Sequence, residues 1–256
     1  MKNHIITSIL LAAATFLVPL NATSQCGWEL VNLGTFSNIQ NLQFPDSQHG
    51  FARYRSGSTN FLLYSSDGGE TWLQNTISTG YLYDMFFVNP DVGYCCGESG
   101  SILKTTNGGQ NWASLSTGVS DYLSDIHFVS PTTGVALFYE GNQFLKTTDG
   151  GITWQPGTIN TPIARWFDIR MKSTDIIFVV GENKSIAHST DAGLSWNIDF
   201  STNGSNVNLR SLCFPNNETL PFIVGDSGVC YSVEHYSGYS YLSEANISPH
   251  VDLDEI

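Results

Sequence analysis

One short phrase recurs four times at nearly constant spacing, and it constrains the fold more than anything else in this 256-residue chain. It occupies residues 65–72, 105–112, 147–154 and 189–196, always in the order hydroxyl, any residue, Asp or Asn, two small residues, two variable residues and Trp. The steps from Trp72 to Trp112, Trp154 and Trp196 are 40, 42 and 42 residues. A period of that length with strand-like contents marks a circular or stacked array of small sheets.

Aligning the repeats on the tryptophan extends the unit. An inner strand is expected at residues 41–44, 84–87, 125–128, 168–171 and 211–214, and a second apolar strand at 50–53, 93–96, 134–137, 176–180 and 222–224. A third follows at 61–65, 102–105, 144–147, 185–189 and 229–232, and a fourth begins at each tryptophan. The strands are short, the turns between them are polar and glycine-bearing, and helical periodicity is missing beyond the first two dozen residues. Four-stranded units repeating at this interval describe the blades of an all-β, antiparallel β-propeller; a linear β-solenoid, whose coils are usually shorter, is the runner-up.

The phrase itself reads as a turn. Ser65, Thr105, Thr147 and Ser189 open it, and Asp67, Asn107, Asp149 and Asp191 can accept backbone N–H groups. Gly69, Gly109, Gly151 and Gly193 let the chain pass through positive φ. Trp72, Trp112, Trp154 and Trp196 start the outer strands, where their rings cover the turn or fill the gap between blades. Asn107 removes a charge that a metal site would need, and the cysteines and histidines lack ligand spacing, so no metal and no cofactor are expected.

The ends of the repeat array carry complementary defects. Trp28 lies 44 residues before Trp72, so residues 27–33 read as a fourth strand without a blade in front of it, whereas the fifth unit lacks the phrase. Residues 27–33 completing that fifth unit would close a five-bladed propeller and protect its strand edges. The alternative is an open arc of a truncated six- or seven-bladed propeller.

Residues 1–24 have the basic start, apolar run and small-residue site of an export signal, which leaves a propeller over 25–242 and an acidic extension over 243–256. The apolar run is interrupted by Thr7, Thr15 and Pro19 and is short for a membrane span. Gln25 is not the small residue that a lipoprotein signal places before a cysteine, which argues against lipidation at Cys26. A secreted or periplasmic protein without a membrane span in its mature chain is the expectation. The formal net charge of −13 disfavours nucleic acid and anionic membranes and favours neutral or basic partners.

The phrase resembles the Asp-box, or bacterial neuraminidase, repeat. Its longer form, with Asp125, Phe128, Gly134 and the run 145–154, is similar to the photosystem II stability/assembly factor family, a likeness covering most of residues 26–240. The resemblance implies a propeller, and it spans sialidases, xyloglucan-cleaving glycosidases, receptors and assembly factors, so it does not fix an activity. A sialidase would need an arginine triad and an Arg-Ile-Pro motif. The mature chain has only Arg53, Arg55, Arg165, Arg170 and Arg210, and lacks that motif. A glycosidase needs two opposed carboxylates. Asp84, Asp125 and Asp168 could supply them, but they recur with the repeat.

Binding residues are sought on the face opposite the phrase. Glu98, Glu140, Glu182 and Asp226 fall at matching turn positions and would form an arc of carboxylates. Asp84, Asp125 and Asp168 begin inner strands, and Tyr81, Tyr83, Tyr122 and Trp166 sit in the links ahead of them. Recurrence suggests that the acids shape turns, so the aromatic residues are the better candidates for contact. The expectation is an exported, non-enzymatic propeller that engages a protein or peptide, with a basic segment favoured. Glycan binding or sialidase-like glycoside hydrolysis is the alternative.

Overall fold

A computed structural model describes residues 38–163, 165–201, 206–214, 221–233 and 242–244. Among them, twenty strands form five four-stranded antiparallel sheets, each made from strands consecutive in the chain. This is an all-β fold of five β-propeller blades, and the chain divides into two compact units, Met1–Thr79 and Gly80–Ile256.

The first unit holds blade one: β1 (Ile39–Gln43), β2 (Gly50–Ser56), β3 (Thr59–Ser65) and β4 (Leu73–Thr79). β2 and β3 pair from Gly50 with Ser65 to Ser56 with Thr59 around a tight turn at Gly57, whose φ of 61° suits glycine. Ala52, Tyr54 and Leu63 form its core, with Leu42, Phe61 and Trp72 packed alongside. Buried Arg53 donates to Asn41 Oδ1 at 2.8 Å and Gln40 Oε1 at 2.7 Å, which offsets the cost of taking a cation out of water.

The second unit holds four blades. Blade two is β5 (Leu82–Phe87), β6 (Gly93–Gly97), β7 (Ile102–Thr105) and β8 (Ala113–Leu115). Blade three is β9 (Leu123–Phe128), β10 (Gly134–Phe138), β11 (Gln143–Thr147) and β12 (Gln155–Thr158). Blade four is β13 (Trp166–Met171), β14 (Ile177–Gly181), β15 (Ser185–Ser189) and β16 (Asn197–Phe200). Blade five is β17 (Leu209–Cys213), β18 (Phe222–Gly225), β19 (Cys230–Val233) and β20 (Leu242–Glu244).

Burial follows position in the blade. The second strands β6, β10 and β14 are buried at every residue, as strands covered on both faces must be, and are correspondingly apolar. The outer strands β8 and β12 are largely exposed, and β12 tolerates Pro156 because it lies at a sheet edge. Successive blades share cores. Tyr94 and Ile102 of blade two pack with Ile126, Phe128 and Leu145 of blade three, and Val135 and Phe144 of blade three pack with Ile169, Val179 and Trp196 of blade four.

A glycine opens the second strand where a phenylalanine closes the first. A Cβ on Gly93 would lie 2.7 Å from the Phe87 ring, and one on Gly134 would lie 2.4 Å from Phe128. These rings in turn meet Trp112 and Trp154 edge to face at 6.0 and 6.1 Å. In blade four the pair is exchanged: Met171 replaces the phenylalanine and Ile177 the glycine, and both are buried. Trp196 there meets Phe144 of the preceding blade instead, at 5.7 Å.

In the fifth blade the structure departs from the sequence expectation. β20 fills the place beside β19, pairing Tyr231 with Glu244 and Val233 with Leu242. With β18 on its other side, β19 has no edge left for residues 27–33, which lie outside the described residues. The fifth unit therefore draws its last strand from the chain that follows it. The phrase is absent between these two strands, yet β20 still pairs with β19.

Candidate functional site

The four phrases build one hairpin clamp. Ser65 Oγ accepts from Gly69 N at 2.8 Å and donates to Asp67 Oδ1 at 2.7 Å, and Asp67 Oδ1 accepts from Thr71 N at 2.9 Å. The same contacts recur at Thr147, Asp149 and Thr153 and at Ser189, Asp191 and Ser195. Hydrogen bonds from the hydroxyl and N–H of Thr71, Thr153 and Ser195 hold the three carboxyls down to about 2. Asn107 repeats the geometry without charge, accepting from Thr105 Oγ1 and Asn111 N. Every acceptor oxygen is thus used within its own turn, which leaves these residues a structural role.

The inner-strand acids are also engaged. Asp84 Oδ2 accepts from Ile126 N at 2.9 Å, Asp125 Oδ2 from Ile169 N at 2.7 Å, and Asp168 Oδ2 from Leu212 N at 2.9 Å. Each carboxyl latches its blade to the inner strand of the next. Arg170 Nη1 lies 2.8 Å from both Asp125 Oδ1 and Asp168 Oδ1. Asp125 and Asp168 are buried, so these residues do not offer the open carboxylate surface that their spacing suggested.

The turn acids split. Glu98 N donates to Tyr81 O at 2.9 Å, Glu182 N to Arg165 O at 3.2 Å, and Asp226 N to Asn208 O at 2.9 Å, clasping each blade to the link before it. Glu98 Oε1 also accepts from Tyr81 N, and Asp226 accepts from Asn208 N and Nδ2. In blade three the clasp is made by Tyr139 N, which donates to Tyr122 O at 2.8 Å. The turn there is one residue longer, so Glu140 is not the equivalent of the other three acids. A tyrosine stands where they stand, and Glu140 is exposed beside it.

That substitution builds a cleft. Its cavity, of about 250 Å³, is lined by Ser124, Tyr139, Arg165, Trp166, Phe167 and Arg210. The Arg165 guanidinium lies 4.4 Å from the Tyr139 ring centre and 5.1 Å from that of Phe167, and the Arg210 guanidinium lies 4.6 Å from the Phe167 ring centre. Cation–π contacts of this kind fix two guanidinium planes. Asp226 Oδ1 accepts from Arg210 Nε at 2.7 Å, whereas the buried Nε of Arg165 meets no acceptor among the described residues. Burial opposes ionisation of Asp226, but the hydrogen bonds and charge of Arg210 hold its carboxyl below the ordinary value.

The aromatic rail continues outward. Tyr83 stacks on Tyr139 and tilts against Tyr122, both at 6.0 Å, and Tyr122 and Tyr139 are 48% and 40% exposed. Tyr81 is exposed nearby in the chain. Trp166 is not an exposed platform: only 1% of it is accessible, and it packs with Ile159, Ile163 and Ile169 beneath the cleft. Arg165, Arg210, Tyr139 and Phe167 were not singled out by the repeat. The signal that could have found Tyr139 is that it replaces the acid standing at that turn position in blades two, four and five; Phe167 and Arg210 lie on the inner strands β13 and β17, directly before Asp168 and Ser211.

The likenesses to known proteins agree with this architecture. A family model described as "Photosynthesis system II assembly factor YCF48" matches residues 20–118, and one described as "BNR/Asp-box repeat" matches residues 145–156. "Photosystem II assembly lipoprotein Ycf48" of Synechococcus sp. (strain CC9902) is 27% identical over 143 residues, 52% of this chain and 40% of that protein. Its namesake in Picosynechococcus sp. (strain ATCC 27264 / PCC 7002 / PR-6) is 28% identical over 208 residues, 63% of this chain and 60% of that protein. The chain therefore spans about half the length of the curated relatives it matches.

Among solved structures, that of "YCF48 bound to D1 peptide" aligns with a TM-score of 0.58 at 15% identity, covering 80% of each chain. An ancestral GH74 enzyme aligns with a TM-score of 0.62 at 14% identity, covering 84% of this chain and 32% of its own. At these identities the structural likeness is one of fold. The chain is an Asp-box β-propeller that resembles the photosystem II assembly factors.

Proposed function

We propose that this chain is an exported, non-enzymatic propeller that binds a protein or peptide segment at the arginine–tyrosine cleft of its second unit. The observation that carries this reading is the pair of guanidiniums, Arg165 and Arg210, stacked on Tyr139 and Phe167 around one cavity. Ordered arginines beside exposed aromatic rings are the composition of binding hot spots. The likeness to YCF48 bound to a D1 peptide supports a peptide as the occupant.

The cleft carries two guanidiniums inside an acidic protein, Arg210 paired with Asp226 and Arg165 with its Nε unmatched among the described residues. The basic segment favoured by net charge therefore gives way, at this site, to a segment carrying a carboxylate, which the Arg165 guanidinium binds through charge-assisted hydrogen bonds. The curated relatives are named as lipoproteins, and no helix among the described residues is long and apolar enough to cross a membrane. The lipoprotein names of the relatives sit with an extracytoplasmic location.

A glycan-binding reading retains one support, the exposed rings of Tyr81, Tyr122 and Tyr139. Hydrolysis is disfavoured because Asp84, Asp125 and Asp168 are occupied by backbone N–H groups. Affinity capture from the native envelope, run beside a glycan array, tests the choice. The R165A/R210A double variant should weaken the captured contact by roughly tenfold or more. Sugar binding that survives this change and is lost on Tyr122→Ala would replace the peptide reading with the glycan one.

A further inference from the structure

The asparagine that stands for aspartate in the second phrase is followed by glycine, and an Asn-Gly step can modify itself. Glycine has no Cβ to shield its backbone nitrogen, which can therefore reach the neighbouring side-chain carbonyl. Asn107 and Gly108 place this step in the hairpin between β7 and β8.

The electrophile is held ready. Asn107 Oδ1 accepts from Thr105 Oγ1 at 2.9 Å and from Asn111 N at 3.0 Å. Two donors on one carbonyl oxygen draw electrons from Cγ and stabilise the negative charge that develops on the oxygen when Cγ is attacked. The nucleophile is held back. Gly108 N donates to Asp91 O at 2.9 Å, which ties its hydrogen to the turn between β5 and β6. That turn is shaped by Asn89, whose Oδ1 accepts from Asp91 N at 3.0 Å and from Val92 N at 2.8 Å. The contact belongs to the blade design, since Gly68, Gly150 and Ala192 donate in the same way to Gln48, Thr132 and Asp175.

We infer that Asn107 is a deamidation site gated by this one hydrogen bond, closed while Gly108 N is tied to Asp91 O and open when the hairpin lifts from the turn. The released nitrogen attacks Asn107 Cγ. The Gly108 N–Asn107 Cγ bond forms, the Cγ–Nδ2 bond breaks, and the proton lost from Gly108 N leaves with Nδ2 as ammonia. Water then opens the cyclic imide, with nothing oxidised or reduced. Cleavage at Cγ gives aspartate at position 107, and cleavage at the backbone carbonyl gives isoaspartate. The first product brings the second phrase to the form already present at Asp67, Asp149 and Asp191, so the hairpin accepts it. The second lengthens the backbone by one methylene and puts the clamp out of register.

The test follows deamidation by peptide mapping of the full chain, kept folded or unfolded in guanidinium chloride at the same mildly alkaline pH. Asn203-Gly204, the other Asn-Gly step, serves as the clock in the unfolded chain. Asn107 should keep pace with that clock when unfolded and react at least about tenfold more slowly when folded, because only the opened hairpin reacts. Asn89→Ala loosens the turn that carries Asp91, so it should raise the folded-state rate at Asn107 severalfold and leave the unfolded-state rate unchanged. If N89A does not fold, the parent chain decides: in guanidinium below the unfolding transition, deamidation at Asn107 and hydrogen exchange at Gly108 N should rise by the same factor, since one opening exposes both. Asn107→Asp should fold with an unfolding midpoint within about 3 °C of the parent. The inference is overturned if Asn107 reacts as fast folded as unfolded, if folded N89A shows no acceleration, if exchange and deamidation diverge, or if N107D fails to fold. These readouts do not depend on the partner at the cleft.

Discussion

At the scale of single residues, the chain separates acids that titrate with consequence from acids that do not. Asp67, Asp149 and Asp191 are held to about 2 by hydroxyl and N–H donors of their own turns. A depressed folded-state pKa contributes stability above the unfolded value near 4, and that contribution is lost as pH falls toward 2. Asp149→Asn should lower the unfolding midpoint at neutral pH, because the amide keeps the acceptor used by Thr153 N but gives up the oxygen that accepts from Thr153 Oγ1. The gap between parent and variant should narrow as the pH approaches 2, and a gap independent of pH would show that charge plays no part. Asn107 is the natural form of this substitution, and Asn111 stands where the hydroxyl would be, with its N–H donating to Asn107 Oδ1.

Elements were legible in the sequence wherever the repeat was strict. The second strands, the turn glycines and the tryptophan hairpins follow from spacing alone, because each blade solves the same packing problem with the same residues. The pairing of Gly134 with Phe128 carries a prediction at this scale. A methyl group on Gly134 meets the ring at 2.4 Å, so Gly134→Ala should cost about 1–3 kcal/mol by overpacking. Phe128→Met in the same chain should recover part of that cost, since blade four already combines Met171 with Ile177. A double-mutant cycle checks this: the two effects must be non-additive in the favourable direction. Legibility failed where one residue was inserted. The longer turn of blade three moves Glu140 off the clasp and sets Tyr139 there, and a 42-residue step between tryptophans hides that shift. The fifth blade failed for a different reason, because β20 is not preceded by the phrase that marks the other outer strands.

For the molecule as a whole, composition and site point in opposite directions, and the difference has a kinetic signature. The formal charge of −13 describes the field met by an approaching ligand, whereas in the proposed reading Arg165 and Arg210 make the contact after docking. The repeat could not reveal this, because the cleft depends on which side chains neighbouring blades bring together across a link. At physiological ionic strength the screening length is about 8 Å, so the acidic body still repels an acidic segment during its final approach. Added salt should therefore speed association of such a segment, by weakening long-range repulsion, and also speed its dissociation, by weakening the guanidinium contacts. A basic segment would show slower association with salt. Stopped-flow or surface-plasmon measurement of both rate constants at several salt concentrations separates the two. In R165A/R210A the salt dependence of dissociation should largely vanish while that of association remains, because the repelling charge lies elsewhere on the molecule. If association with the captured partner slows as salt is added, steering by the acidic surface governs binding and the cleft is not where the partner docks.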